Sequence, residues 1–162
     1  MKKLLFLDFD GVINCTGSFI LMNDLKQKDD DNLYCAAPNP VSVNLVQRLL
    51  NHSDVECVVS SSWRIGRTLE EVKNIMIESF GFTNVDSVID MTPNSGKKRG
   101  YDIQEYLQNN PTKDYCIIDD DKDFLDNQLA NFVKIDCDIG FTYKDYAKTL
   151  LFLNIVESKI IY

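Results

Sequence analysis

The 162-residue sequence lacks long hydrophobic runs, has a single histidine and contains no Cys-X-X-Cys pair. Its opening apolar run, residues 4–7, stops at Asp8, which is too short for a signal-peptide core or a membrane span. The five cysteines and the histidine do not follow zinc-ligand spacing, which argues against a zinc site. We therefore expect no membrane partner, and the odd set of cysteines favours a reducing, cytoplasmic location.

Basic residues are also few, since 17 Lys and Arg stand against 25 Asp and Glu, a formal net charge of −8. This balance argues against a broad basic surface for duplex nucleic acid, although it leaves room for a local basic pocket. Hydrophobic residues make up 44% of the chain, which excludes a wholly disordered protein. The length suits a single domain over residues 1–162.

Short apolar runs alternate with helical patterns along the chain, which predicts a parallel sheet of about five strands covered by helices on both sides. The predicted strands are residues 3–7, 56–59, 86–91, 115–118 and 132–135. Helix starts are predicted at Asn39-Pro40, at the capping box of Thr68, at Gly100 and at Thr142. Residues 14–39 fall outside this alternation, and we interpret them as a short flap or cap insertion.

Charged and hydroxyl residues follow the predicted strands, at the sheet edge where ligands bind in such folds. The segments are Asp8-Phe-Asp10-Gly11, Ser60-Ser-Ser-Trp-Arg64, Asp119-Asp-Asp121 and, before a helix, Lys97-Lys-Arg99. Alone, each is compatible with a turn, a cap or a solvated surface. Together, carboxylates from two strands would repel each other unless a cation such as Mg²⁺ lay between them. Hydroxyls and basic groups would complete a phosphoryl-transfer site with a carboxylate nucleophile.

The order of these motifs resembles the haloacid dehalogenase-like (HAD) hydrolase superfamily, in which most members are Mg²⁺-dependent phosphatases. Residues 5–12 (LFLDFDGV) resemble its first motif, hhhDxDGx, residues 58–60 its second and residues 117–120 its acidic fourth. The resemblance implies a Rossmann-like three-layer α/β sandwich. More narrowly, the motifs at 61–64, 99–103 and 140–142 resemble those of small HAD domains in nucleic-acid repair proteins, related to polynucleotide 3′-phosphatases.

The resemblance implies a role for each acidic residue. Asp8 would be the nucleophile and a ligand of Mg²⁺. Asp10 would be the general acid and then the general base, and its backbone carbonyl would also contact the metal. Asp119 and Asp120 would hold the Mg²⁺, and which of the two is the direct ligand stays open.

The phosphate-binding residues are implied with alternatives. Ser60 ends the second motif, whereas counting back from Trp63 indicates Ser61. The third-motif cation is Lys98 by its usual residue type, or Arg99 by its position directly before the glycine that opens the helix.

A basic rim of Arg64, Arg67 and residues 97–99 is expected around the acidic pocket. Such a rim favours a substrate with further phosphates, to which Arg64 would bind; alternatively, Arg64 pairs with a nearby carboxylate. Trp63 would either stack on a base or pack under its loop. Because residues 14–39 are too few for a large cap, the site should be open to large substrates.

We therefore expect a Mg²⁺-dependent phosphomonoester hydrolase that acts through an aspartyl-phosphate on Asp8. The expected substrate is a nucleotide or the phosphorylated end of a single-stranded nucleic acid, and the protein would be a monomer or a homodimer. Two alternatives stay open. One is a phosphoacceptor domain of the response-regulator type, although its phosphorylated Asp would lie where this sequence has Ser60. The other is a regulatory HAD-like domain that binds phosphate without turnover.

Overall fold

The computed structural model describes residues 3–25 and 37–156. Its centre is a five-stranded sheet in which every neighbouring pair is parallel, in the order β3-β2-β1-β4-β5. The strands are β1 Lys3–Leu7, β2 Val55–Val59, β3 Val88–Met91, β4 Tyr115–Asp119 and β5 Phe132–Lys134. The predicted Rossmann-like α/β sandwich with a parallel sheet is therefore confirmed.

In the described part of the chain, five α-helices connect or flank these strands. They are α1 Thr16–Leu25, α2 Pro40–Leu50, α3 Leu69–Glu78, α4 Arg99–Asn109 and α5 Tyr143–Phe152. The predicted starts of α2, α3 and α5 are confirmed by their caps: Asn39 accepts from the backbone of Val41, and Thr68 and Thr142 each form a capping box. These caps satisfy backbone N–H groups that have no partner within the helix.

The strand β1 separates two hydrophobic cores because its alternate side chains point to opposite faces of the sheet. Leu5 and Leu7 belong to the larger core, which α2, α3 and α5 complete. Leu4 and Phe6 belong to the smaller core, which α4 covers. The chain runs from β1 to β2 and β3 on one side and to β4 and β5 on the other. The strand order thus reverses between β1 and β4, the place where ligands bind in open α/β sheets.

The predicted insertion at residues 14–39 is described only in part. Its first half contains the helix α1, which the sequence pattern did not predict, and residues 26–36 lie outside the described residues. In the two described ranges, no helix combines the length and the apolar character required to cross a membrane.

Candidate active site

The end of β1 and the end of β4 lie side by side and bring three carboxylates together. Leu7 pairs with Ile118, and the backbone N–H of Asp8 donates to the carbonyl of Ile118 at 3.1 Å. One carboxylate oxygen from each of Asp8, Asp119 and Asp120 lies within 4.8 Å of the others. The structure therefore brings Asp8 of the first motif together with both acidic residues of the fourth motif, whereas the carboxylate of Asp10 is not part of this cluster.

Arg99, the first residue of α4, lies between two of these carboxylates. Its Nη1 donates to Asp8 Oδ2 at 2.5 Å and also to Asp119 Oδ2. Burial alone would lower the pKa of Arg99, but the carboxylates of Asp8 and Asp119 raise it, so the guanidinium stays charged. Lys98, the alternative cation, is exposed to solvent at the N-cap of the same helix. The structure thus places Arg99, and not Lys98, in the cluster.

One guanidinium does not compensate three neighbouring carboxylates. Burial raises the pKa of Asp119 to about 7, the charge of Asp8 adds to this effect and Arg99 opposes it. Burial also raises the pKa of Asp120, again with a contribution from Asp8, and Lys134 opposes this rise. The second oxygens of Asp8 and Asp119 accept from the backbone N–H groups of Phe9 and Asp121. An all-oxygen set with excess negative charge suits Mg²⁺, so these residues fit the metal that the motifs predict.

Gly11 permits the close approach of the two acidic loops. Its φ of +70° lies in the left-handed region, which residues other than glycine rarely adopt. A Cβ atom added here would lie 2.3 Å from Cγ of Asp120. The glycine of the first motif is therefore required both by the turn and by its neighbour in the cluster.

The carboxylate of Asp10 interacts with a different set of partners from that of Asp8. Its Oδ2 accepts a hydrogen bond from Nε1 of Trp63 at 2.8 Å, and its Oδ1 accepts from Nδ2 of Asn14 at 3.4 Å. The predicted contact of its backbone carbonyl with a metal stays a prediction. Neither partner of Asp10 was assigned this role from the sequence, because Trp63 was expected to stack on a base or to pack under its loop, and Asn14 follows no predicted strand end.

The two candidate serines are both fully buried, but their hydroxyls differ. The backbone N–H of Ser60 donates to the carbonyl of Leu7 at 3.0 Å, which places Ser60 beside the end of β1. The Oγ of Ser60 has no hydrogen-bond partner among the described residues. Oγ of Ser61 instead accepts from the backbone N–H of Trp63 at 3.4 Å and caps the short 3₁₀ turn at Ser62–Arg64. The uncommitted hydroxyl beside Asp8 is therefore that of Ser60.

A family model matches the chain over residues 4–146, and its description is the HAD domain in Swiss Army Knife RNA repair proteins. The chain belongs to this family. No curated protein and no solved structure matches it. The predicted resemblance to a small HAD domain of the nucleic-acid repair type is thus confirmed, and the family membership supports a phosphohydrolase of the HAD type.

Arg64 of this HAD domain differs from the expectation that it binds substrate. The side chain is buried, and all five of its N–H donors are used within the protein. They donate at 2.8–2.9 Å to the carbonyls of Ser60, Ser61, Thr92 and Pro93 and to Oδ2 of Asp102. No donor remains for a substrate phosphate. Arg64 therefore holds the loop after β2 against the loop after β3 and against α4, the helix that carries Arg99.

We expect Arg64→Ala to lower the free energy of unfolding of this HAD domain by about 3–5 kcal/mol, because it leaves the buried carboxylate of Asp102 without its cation. Urea unfolding measures this change. The control Arg67→Ala, at an exposed position in the same loop, should change stability by no more than about 0.5 kcal/mol. Unchanged stability of Arg64→Ala together with weaker substrate binding would restore the substrate-binding role.

A cleft of about 470 Å³ opens beside the carboxylate cluster of this HAD domain. Asp10, Asp120, Phe19 of α1 and Cys137 are among the residues that line it. The described residues between β1 and α2 form one helix and no folded cap domain. The cleft therefore lies directly beside Asp120 of the carboxylate cluster and is a candidate binding site.

Proposed function

We propose that this HAD domain is a Mg²⁺-dependent phosphomonoester hydrolase that forms an aspartyl-phosphate on Asp8. The observation that carries the proposal is the cluster of Asp8, Asp119 and Asp120 at the reversal point of the sheet, with Arg99 bound to the first two. A Mg²⁺ ion held by the three carboxylates would supply positive charge for the phosphate oxygens. Arg99 and the free hydroxyl of Ser60 supply further donors for the same oxygens.

The reaction would proceed in two balanced steps. In the first, an oxygen of Asp8 attacks phosphorus while the bond to the leaving oxygen breaks, and Asp10 transfers its proton to that oxygen. In the second, Asp10 takes a proton from a water molecule, whose oxygen attacks the phosphorus of the aspartyl-phosphate. Phosphate then leaves, and Asp8 is regenerated as the carboxylate.

The substrate that we propose is a nucleotide or a phosphorylated end of a single-stranded nucleic acid. The family description, which refers to RNA repair proteins, supports this substrate class. Of the basic rim, Arg64 and Arg99 are engaged inside the protein, whereas Arg67, Lys97 and Lys98 are exposed. These three side chains and the cleft beside Asp10 suit a polyanion larger than a single phosphate.

We expect kcat/KM to be higher for oligonucleotides phosphorylated at either end than for sugar phosphates. For three phosphate contacts on a single strand, log kcat/KM should fall with log salt concentration with a slope of about −2. The double variant Lys97→Ala/Lys98→Ala should flatten this slope, because it removes two of the three exposed cations. The control Lys113→Ala, before β4 and thus at the opposite edge of the sheet, should leave the slope unchanged.

Each other result of this panel has a distinct meaning. Preference for sugar phosphates without salt dependence would contradict the nucleic-acid substrate and leave the phosphatase proposal intact. Bound phosphate without turnover of any ester would contradict the hydrolase and favour a regulatory domain. A phosphoprotein that forms once and persists would favour the phosphoacceptor alternative.

A further inference from the structure

Trp63 is the only tryptophan of the chain, and its indole N–H donates to Oδ2 of Asp10 at 2.8 Å. We propose that Trp63 is a positioning residue, which orients the Asp10 carboxylate so that Oδ1 carries the proton to the leaving oxygen. This inference rests on the proposed function, because it concerns the residue that would act as general acid.

The indole is held firmly enough to act as an anchor. Its ring lies edge-on to Phe9, with 6.3 Å between the ring centroids, and tilted against Phe80 at 5.3 Å. Its backbone N–H donates to Oγ of Ser61, and its carbonyl accepts from Nη1 of Arg67 at 2.9 Å. Phe9 is fully buried, and in the sequence it lies between Asp8 and Asp10. The indole therefore packs against the residue next to Asp10, so the same buried side chain fixes the position of both.

The chemistry of the indole determines which oxygen of Asp10 can hold a proton. An indole N–H is a donor only, so it favours a bare oxygen opposite it and disfavours an O–H at the same place. Oδ2, the partner of Trp63, should therefore remain without a proton when the carboxyl group is neutral. The proton then resides on Oδ1, because its contact with Nδ2 of Asn14 is long, at 3.4 Å, and opposes an O–H less than the 2.8 Å contact of Trp63 with Oδ2. Unlike the indole, the Asn14 amide also has an acceptor, Oδ1, which is buried without a hydrogen-bond partner among the described residues. Asn14 and Asp10 both line the cleft that we assign to the leaving group.

This role can be tested by changing a single ring atom of Trp63. Because the chain has one tryptophan, an analogue that the cells incorporate in place of tryptophan changes this position alone. Biosynthetic replacement by β-(3-benzothienyl)alanine substitutes sulfur for the indole N–H and keeps the ring system, and Trp63→Phe provides a second variant. The readout is kcat/KM, which reports the steps up to the departure of the leaving group. An alkyl phosphate needs a proton on its leaving oxygen, whereas p-nitrophenolate leaves without one.

General acid–base help is worth about 10²–10⁴-fold, so we expect kcat/KM for the alkyl phosphate to fall by about 10- to 100-fold in both variants. For p-nitrophenyl phosphate we expect a change within about threefold, because that ester makes little use of the acid. Thermal unfolding confirms that the variants are folded. Equal losses on the two esters would show a merely structural role, and no loss on either would also overturn the inference.

The hydrogen bond itself can be tested without turnover. In the ¹⁵N-labelled protein, the single indole N–H cross-peak should move upfield in Asp10→Ala, because the N–H loses a charged acceptor. Asp121→Ala, which removes an exposed carboxylate close to the cluster, should leave that peak in place. An unmoved peak in Asp10→Ala would overturn the inference. If the wild-type protein turned over neither ester, the proposed function would fail, whereas the indole peak would still decide the contact.

Discussion

The Asp8→Asn variant should lose turnover by about 10⁴- to 10⁶-fold, the range seen when an enzyme loses its nucleophile. An amide is a poor nucleophile and cannot form the acyl phosphate that the second step hydrolyses. The fold should survive, because the substitution removes one of three carboxylates that repel each other. Steady-state kinetics with p-nitrophenyl phosphate and acid-quench trapping of a labelled phosphoprotein measure the two effects.

The matched control for this variant is Asp86→Asn, which neutralises an exposed carboxylate before β3 and should keep full activity. Asp10→Asn should lose about 10²–10⁴-fold, since it removes acid–base help and keeps the nucleophile. Wild-type activity in Asp8→Asn would contradict the assigned nucleophile. Loss of activity without any trapped phosphoprotein in the wild-type protein would instead indicate direct attack by water.

Elements with strong local signals could be predicted from the sequence. The strand β1 was predicted with its observed bounds, because a continuous apolar run is what a strand buried on both faces requires. Helix α3 was predicted from its capping box, which is a local feature. Helix α1 was missed because its apolar residues Phe19, Ile20 and Leu21 are adjacent in the sequence and do not form a helical stripe. In the structure, each of the three side chains is at least 36% exposed.

The candidate site could be predicted as a cluster but not in its internal assignments. Parallel strands with a fixed register place their ends at one edge, so the meeting of Asp8 with Asp119 follows from strand order. The choice between Lys98 and Arg99 depends on where α4 begins, since one step along a helix turns a side chain by about 100°. The partners of Arg64 are up to 38 residues away in the chain, and no local pattern indicates them.

Removal of Mg²⁺ should abolish activity, and the effect of the metal on stability should depend on pH through Asp119. In the metal-free protein the pKa of Asp119 is about 7, above its ordinary value of 3.8, so the folded state favours the protonated form. The stability contributed by that proton is fully present below about pH 4 and is lost as the pH rises through about 7. The Tm of the metal-free protein should therefore fall between these values.

Mg²⁺ binds the deprotonated carboxylates, so it should restore most stability where the proton has been lost. At pH 8, a Mg²⁺ concentration of 100 times the Kd at that pH should stabilise the folded state by about 2.7 kcal/mol. The same Mg²⁺ concentration should stabilise it by much less at pH 5.5. Asp119→Asn should remove both the pH-dependent fall in Tm and most of the Mg²⁺ effect, whereas Asp86→Asn should change neither. Ca²⁺ should not replace Mg²⁺ in the assay, because its larger and looser coordination shell suits in-line phosphoryl transfer poorly. Full activity in EDTA, or a Mg²⁺-induced rise in Tm that is the same at both pH values, would contradict a metal site built on Asp119.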